Sequence, residues 1–156
     1  MEPEQKAPLD GQRAFAYISR ALSAREHSSI EMRDSLLRKG YAPEVAQAAV
    51  SRAVRCGIID DDRYAASFLR SKLSCGWSLQ RIARELEQQG MDIEAIDGYP
   101  DEFVVQDEFE RALDILSRHH SHSKDPYASC VRYLMGRGFS GDVAHRASKA
   151  HLSTAY

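Results

Sequence analysis

The side chains best suited to chemistry in this sequence are a histidine cluster, His119, His120 and His122, a run of aspartates, Asp60 to Asp62, and a scatter of arginines and lysines. A metal site needs converging ligands. Adjacent histidines at a helix end point in different directions, and no acid or cysteine completes a set, so a polar loop between helices is the expected setting. The aspartate run lacks the glycine and the distal glutamate of a calcium loop, and capping of a helix start is the stronger account. Cys56, Cys75 and Cys130 form no CxxC pair and are odd in number, which points to reduced thiols packed as small apolar groups. No serine, cysteine or lysine lies in a nucleophile motif, no glycine-rich phosphate loop is present, and no carboxylate pair stands in a catalytic pattern. The expectation is a protein that is not an enzyme, with no catalytic residues, metal or cofactor.

Binding is what remains. The candidate partner-binding residues are Arg33, Arg38 and Lys39 on a second helix, Arg70 and Lys72 at the end of a fourth, Arg81 and Arg84 on a fifth, and Trp77 at the entrance of that fifth helix. Cations at a helix C-terminus oppose the macrodipole by about 0.3–1 kcal/mol, which explains Arg38, Lys39 and Lys72 without any partner. Arg81 and Arg84 lie mid-helix, where no end effect accounts for them, and are the better candidates. Trp77 either offers an aromatic plane to a base or a partner side chain, or packs over the helix start as a hydrophobic staple, the commoner arrangement.

The elements that must position these groups read as all helical. Proline and glycine are scarce inside the periodic segments, and no hairpin turn or alternating strand pattern of useful length appears. Phe15, Ile18 and Leu22 mark a first helix. Ser28 and Glu31 form a capping box ahead of Met32, Leu36 and Leu37, and Gly40 ends that helix. Pro43 opens the next, with Val45, Ala48, Ala49 and Ala53 as its apolar stripe up to Gly57. The programme then recurs. Asp60 to Asp62 cap a helix bearing Tyr64, Phe68, Leu69 and Leu73, stopped by Gly76; Ser78 caps one bearing Leu79, Ile82, Ala83 and Leu86, stopped by Gly90. A third copy runs from Val105, Phe109, Ala112, Leu113 and Leu116 through Asp125-Pro126 to Val131, Leu134 and Gly138. Aligned on Gly40, Gly90 and Gly138, the copies match Leu36, Leu86 and Leu134 before the glycine, Tyr41, Met91 and Phe139 just after it, and Val45, Ala95 and Val143 beyond.

The expected fold is therefore all-α, tandem three-helix repeats forming an elongated, curved array: a flexible N-terminal segment 1–12, then repeats at 13–57, 58–100 and 101–156. The last helix of the second repeat is damaged, because Gly98 and Pro100 cut it short after Ile93, Ala95 and Ile96, and bending is expected there.

The chain has 156 residues, 43% of them apolar, and a net charge of −2. That sum hides a division. Residues 11–90 carry 13 basic against 9 acidic groups, residues 91–114 set Arg111 alone against nine acids, and residues 115–156 carry six basic against two acidic groups. Alternation of this kind suits contact with a charged assembly at more than one place, while the pI near 6.3 argues against strong indiscriminate nucleic-acid binding. The longest apolar run, Ala14 to Ile18, is far short of the roughly 20 residues of a membrane helix, and the acidic start is unlike a secretory signal. A cytoplasmic monomer without membrane association is expected.

Arg25-Glu26-His27-Ser28 leading to Leu36-Leu37-Arg38-Lys39-Gly40, Ile58-Ile59-Asp60-Asp61-Asp62-Arg63-Tyr64-Ala65, Phe68-Leu69-Arg70-Ser71 and Ile82-Ala83-Arg84-Glu85-Leu86 together resemble the bacterial RecX regulators of the RecA recombinase. The clear part covers residues 14 to about 91. The resemblance implies three tandem three-helix repeats and a non-enzymatic role: binding RecA and its nucleoprotein filament on DNA, and limiting ATP hydrolysis, recombination and strand exchange in DNA repair. Trp77, where small or basic residues are common, and the acidic belt depart from the pattern. The rival reading is a helix-turn-helix protein binding DNA directly. Its recognition helix would be Glu44 to Arg55, whose alanines and far-end arginines read the major groove poorly, leaving at most a weak direct DNA contact.

Overall fold

The computed structural model describes residues 3–155, with side chains from residue 10 onward. Eight α-helices and one 3₁₀ turn make up its regular structure: α1 (Pro3–Ala24), α2 (Ser29–Arg38), α3 (Pro43–Arg55), α4 (Asp61–Ser74), α5 (Leu79–Gln88), the 3₁₀ turn (Ile93–Ala95), α6 (Glu108–Ser117), α7 (Pro126–Gly136) and α8 (Gly141–Thr154). No strand occurs among the described residues, so the all-α, tandem three-helix expectation holds at the level of the elements. The chain divides into two compact units, Met1–Ser67 and Phe68–Tyr156.

Most helix ends are closed in the same way. Gly40, Gly57, Gly76, Gly90 and Gly138 have φ of +91°, +73°, +79°, +74° and +94°. In that left-handed conformation the residue after the glycine turns its N–H back onto a carbonyl five residues earlier: Tyr41 onto Leu36 at 3.2 Å, Met91 onto Leu86 at 2.9 Å and Phe139 onto Leu134 at 3.2 Å. The glycine's own N–H bonds Leu37, Glu87 and Met135 in turn. Leu36, Leu86 and Leu134 each have no exposed surface. The three glycines aligned in the sequence thus share one backbone motif and one buried leucine.

In the first unit, Ala14 and Ile18 of α1, Met32 and Leu36 of α2, and Ala46, Ala49, Val50 and Ala53 of α3 form one core with Ile59. The stripe on α3 is rotated from the expected one. Ala48 is exposed and Val45 half-buried, while Ala46 and Val50 are buried, completing the i, i+3, i+4, i+7 pattern that packs between α1 and α2. α1 begins at Pro3, inside the segment expected to be flexible; proline is tolerated in a first helical turn. Residues 1 and 2 of that segment lie outside the described residues.

The start of α4 belongs to this unit. Asp60 Oδ1 accepts the Arg63 N–H and caps the helix, as expected of the aspartate run. Asp61 instead turns to α2, its carboxylate accepting both the N–H and the hydroxyl of Ser29, at 2.8 and 2.6 Å. Arg63 Nε donates to Glu26 and Tyr64 Oη to Glu31.

In the second unit α6, α7 and α8 enclose Ala112, Leu116, Cys130, Val131, Leu134, Phe139, Ala144 and Ala147. Val105, expected in this apolar face, is 88% exposed and precedes α6; the helix starts later because Asp107 and Glu110 form a reciprocal capping box there. α5 carries the buried Ile82 and Leu86. Beyond it Asp92 caps only a single 3₁₀ turn; Ile93 and Ile96 are buried and Ala95 is exposed. Gly98 at φ +80° and Pro100, which disfavours helical backbone in the residue before it, prevent continuation.

The shared motif sits in different surroundings. A Cβ at Gly40 would meet nothing within 4 Å, whereas one at Gly138 would lie 2.6 Å from Ser78 Oγ and Arg81 Cβ. Gly40→Ala is expected to cost about 1–2 kcal/mol through the left-handed backbone alone, and Gly138→Ala about 1–3 kcal/mol more because α5 must shift. Urea unfolding of the two variants side by side checks the difference.

Candidate functional site

The candidate cations fall into two groups according to what they touch. On α2, Arg33 is exposed and reaches only its neighbour Asp34, at 3.5 Å; Lys39 lies over the Tyr17 ring at 4.5 Å. Arg70 is exposed with its guanidinium 4.8 Å from the Phe103 ring centre. Arg38 and Arg84 are exposed and make no ion pair, side-chain hydrogen bond or ring contact among the described residues.

The other group is engaged inside the second unit. The Arg81 guanidinium stacks over the Trp77 ring at 3.6 Å, and the Lys72 ammonium lies over the same ring at 4.5 Å. Phe68 meets Trp77 edge to face at 6.2 Å. Arg81 also donates to the Gly136 carbonyl at 3.0 Å, one of the free carbonyls at the end of α7. Trp77 directly precedes Ser78, whose Oγ accepts the Arg81 N–H and caps α5. Both Trp77 and Arg81 are half-buried, so the residue singled out because no helix-end effect explained it supports the end of a different helix. Sequence position on α5 carries no trace of that.

Arg111 and Arg137, which the sequence did not single out, extend this junction. Arg111 is buried; it donates to Glu108 at 2.6 Å and to the Trp77 carbonyl at 2.7 Å. Glu108 in turn accepts the Leu79 N–H at the start of α5. Arg137 donates to the Cys75 carbonyl, its own carbonyl accepts the Ser78 N–H at 3.0 Å, and its guanidinium lies over Tyr133. The α4–α5 turn is thereby held to α6 and to the end of α7. The only legible signal for Arg111 was that it is the single cation in the acidic belt.

The histidines stand in the loop between α6 and α7. His119 stacks on Tyr133 with ring centres 3.9 Å apart, while His120 and His122 are exposed. Among the described residues no group of three or more His, Cys, Asp or Glu side chains is placed to hold a metal, and no helix is long and apolar enough to cross a membrane. Acids of the belt serve as caps and pair partners: Asp92 and Asp107 cap, Glu108 pairs with Arg111, and Asp114 with Arg118.

Two stretches of the chain match known domains, residues 14–52 the first three-helix domain of RecX and residues 60–98 the second. Over nearly its full length the chain is 32% identical to the regulatory protein RecX of Xanthomonas oryzae pv. oryzae strain PXO99A, covering 97% of this chain and 99% of that one. The chain belongs to the RecX family. Identity to the RecX of Xanthomonas campestris pv. campestris strain B100 is 34%, with the same coverage. Among solved structures, RecX from Lactobacillus salivarius superposes with a TM-score of 0.62 at 18% identity, covering 91% of this chain and 96% of that one, which establishes the likeness of fold. As a RecX protein the chain is a member of a family of regulatory proteins, built from tandem three-helix domains.

Truncating Arg81 removes a charge-assisted hydrogen bond and a stacked cation, so Arg81→Ala is expected to lower stability by about 1.5–3 kcal/mol. Arg84→Ala, which removes neither, should stay within about 0.5 kcal/mol of the parent. Chemical denaturation with circular dichroism as the readout separates them. Burial pushes the Cys130 thiol above its ordinary pKa, and Cys56 and Cys75 are exposed. Thiol titration with a disulfide reagent at pH 8 should therefore modify two cysteines quickly and the third only as the protein opens.

Proposed function

We propose that this RecX protein binds RecA and the RecA–DNA filament in the cytoplasm, acts without catalysis, and represses ATP hydrolysis, recombination and strand exchange, thereby modulating DNA repair. Family membership over nearly the whole chain is the observation that carries the reading. The construction of the molecule supports it. One helix-end motif recurs at Gly40, Gly90 and Gly138, so helix ends of the same backbone geometry occur more than once along the chain, each with its own outward-facing surfaces. A partner that is itself periodic engages such surfaces together, and linked weak contacts multiply through effective concentration.

The residues proposed to meet the partner are the exposed cations Arg33, Arg38, Lys39, Arg70 and Arg84. Lys72, Trp77 and Arg81 contribute by shaping the α4–α5 turn. Direct DNA contact is secondary in this reading, because the net charge is −2 and the pI lies near 6.3, against strong indiscriminate binding to a polyanion.

Titration into RecA's DNA-dependent ATPase is expected to inhibit it, and affinity for the filament should exceed that for free RecA by about 100-fold or more at one salt concentration. Equal affinity for the two forms defeats the multivalent mechanism, and unchanged ATPase defeats the reading. Submicromolar binding to naked DNA with a steep salt dependence favours a direct DNA-binding protein instead.

A further inference from the structure

Exposed large apolar side chains are few in this protein, and two of them occupy the same position in different helix bundles. Leu37 on α2 is 39% exposed and Met135 on α7 is 52% exposed. Each stands three residues before the left-handed glycine of its bundle, Gly40 or Gly138, and its carbonyl accepts that glycine's N–H. Next to each is a cation about one helical turn back on the outer surface. Arg33 precedes Leu37 by four residues and Arg132 precedes Met135 by three, spacings that place side chains side by side on a helix. Both arginines are exposed, and Arg132 makes no ion pair, side-chain hydrogen bond or ring contact among the described residues. Helix closure needs only the glycine and the buried leucine next door, so nothing in the motif asks for an apolar residue at this outward position.

We propose that the Arg33/Leu37 and Arg132/Met135 pairs are two versions of one docking feature for an acidic, partly apolar protein surface, alike in the apolar position and one residue apart in that of the cation. Its occupant presents a carboxylate and an apolar side chain about 5–6 Å apart, repeated on successive subunits of a polymer. A polynucleotide is the poorer fit: phosphates would satisfy the arginines but leave Leu37 and Met135 against a polyanion, with no apolar surface to cover them. On α5 the corresponding position is Glu87, exposed, behind Arg84, so the middle copy keeps the cation and lacks the apolar half. This inference rests on the RecA-filament reading and names where the contact lies.

The test measures binding of the full chain to RecA filaments assembled on labelled single-stranded DNA, and to the same DNA alone. Leu37→Ser and Met135→Ser are each expected to weaken filament binding about tenfold, and the double variant by the product of the two factors. Arg132→Glu should weaken it comparably at low salt, and Met135→Leu should leave it unchanged. Glu87→Met, which completes the middle copy, should tighten binding several-fold, a gain that misfolding does not produce. Circular dichroism melts of all variants identify any that fail to fold. Wild-type binding with the serine variants unaffected overturns this surface and leaves the functional reading standing. No wild-type binding overturns both, and equal losses on naked DNA show that the arginine faces serve nucleic acid instead.

Discussion

Glycine in the left-handed conformation is the constraint on which the structure depends. A residue with a Cβ is disfavoured there, and reversing the chain within two residues is what returns Tyr41, Met91 and Phe139 onto the carbonyls of Leu36, Leu86 and Leu134. Those leucines are completely buried, so the same step that closes the helix also seals the bundle beneath it. Short helices are marginal on their own in water. α2 and α5 each span ten residues, and closing their ends satisfies carbonyls that would otherwise compete for solvent.

Arginine side chains complete what the glycines begin. The end of α7 has a carbonyl at Gly136 that takes Arg81, and the end of α4 one at Cys75 that takes Arg137. Planar guanidinium groups suit this task because they donate in several directions while stacking on Trp77 or Tyr133. The consequence for function is a sorting of charge. Cations occupied with carbonyls and rings hold the second unit together, and five of the nine acids of the belt, Asp92, Asp107, Glu108, Glu110 and Asp114, serve as caps or pair partners. Arg38, Arg84 and Arg132 are among the exposed cations that make no ion pair, side-chain hydrogen bond or ring contact among the described residues, and such charge is open to a partner.

The sequence was most legible where one residue type admits one conformation. Gly40, Gly90 and Gly138, the caps Ser28, Ser78 and Asp125, and Pro43 and Pro126 at first turns all appear where their types require. The register of α3 was less legible because alanines at 46, 48 and 49 offer no contrast in hydropathy, leaving packing to choose the buried face. Val105 misled for the opposite reason: its apolar character suggested burial, but the capping box at Asp107 and Glu110 starts the helix after it. At the candidate site, the free cations on α2 and α5 were visible as surface charge. The occupation of Arg81 and Arg111 was not, since their partners lie 55 and 34 residues away, at Gly136 and Trp77. Spacing along one helix reports neighbours on that helix and nothing beyond it.

That division of labour also separates what must be kept from what is free to change. The buried leucine and the glycine fix the backbone, and the position just after the leucine is exposed in each copy. It is leucine in the first, glutamate in the second and methionine in the third. Substitution there alters the surface offered to a partner while costing stability little, as expected of exposed positions away from caps and cores. A chain built this way keeps one helix-end motif in every copy, even where the middle copy reduces its third helix to a 3₁₀ turn, and leaves the outward position of each copy free to vary independently.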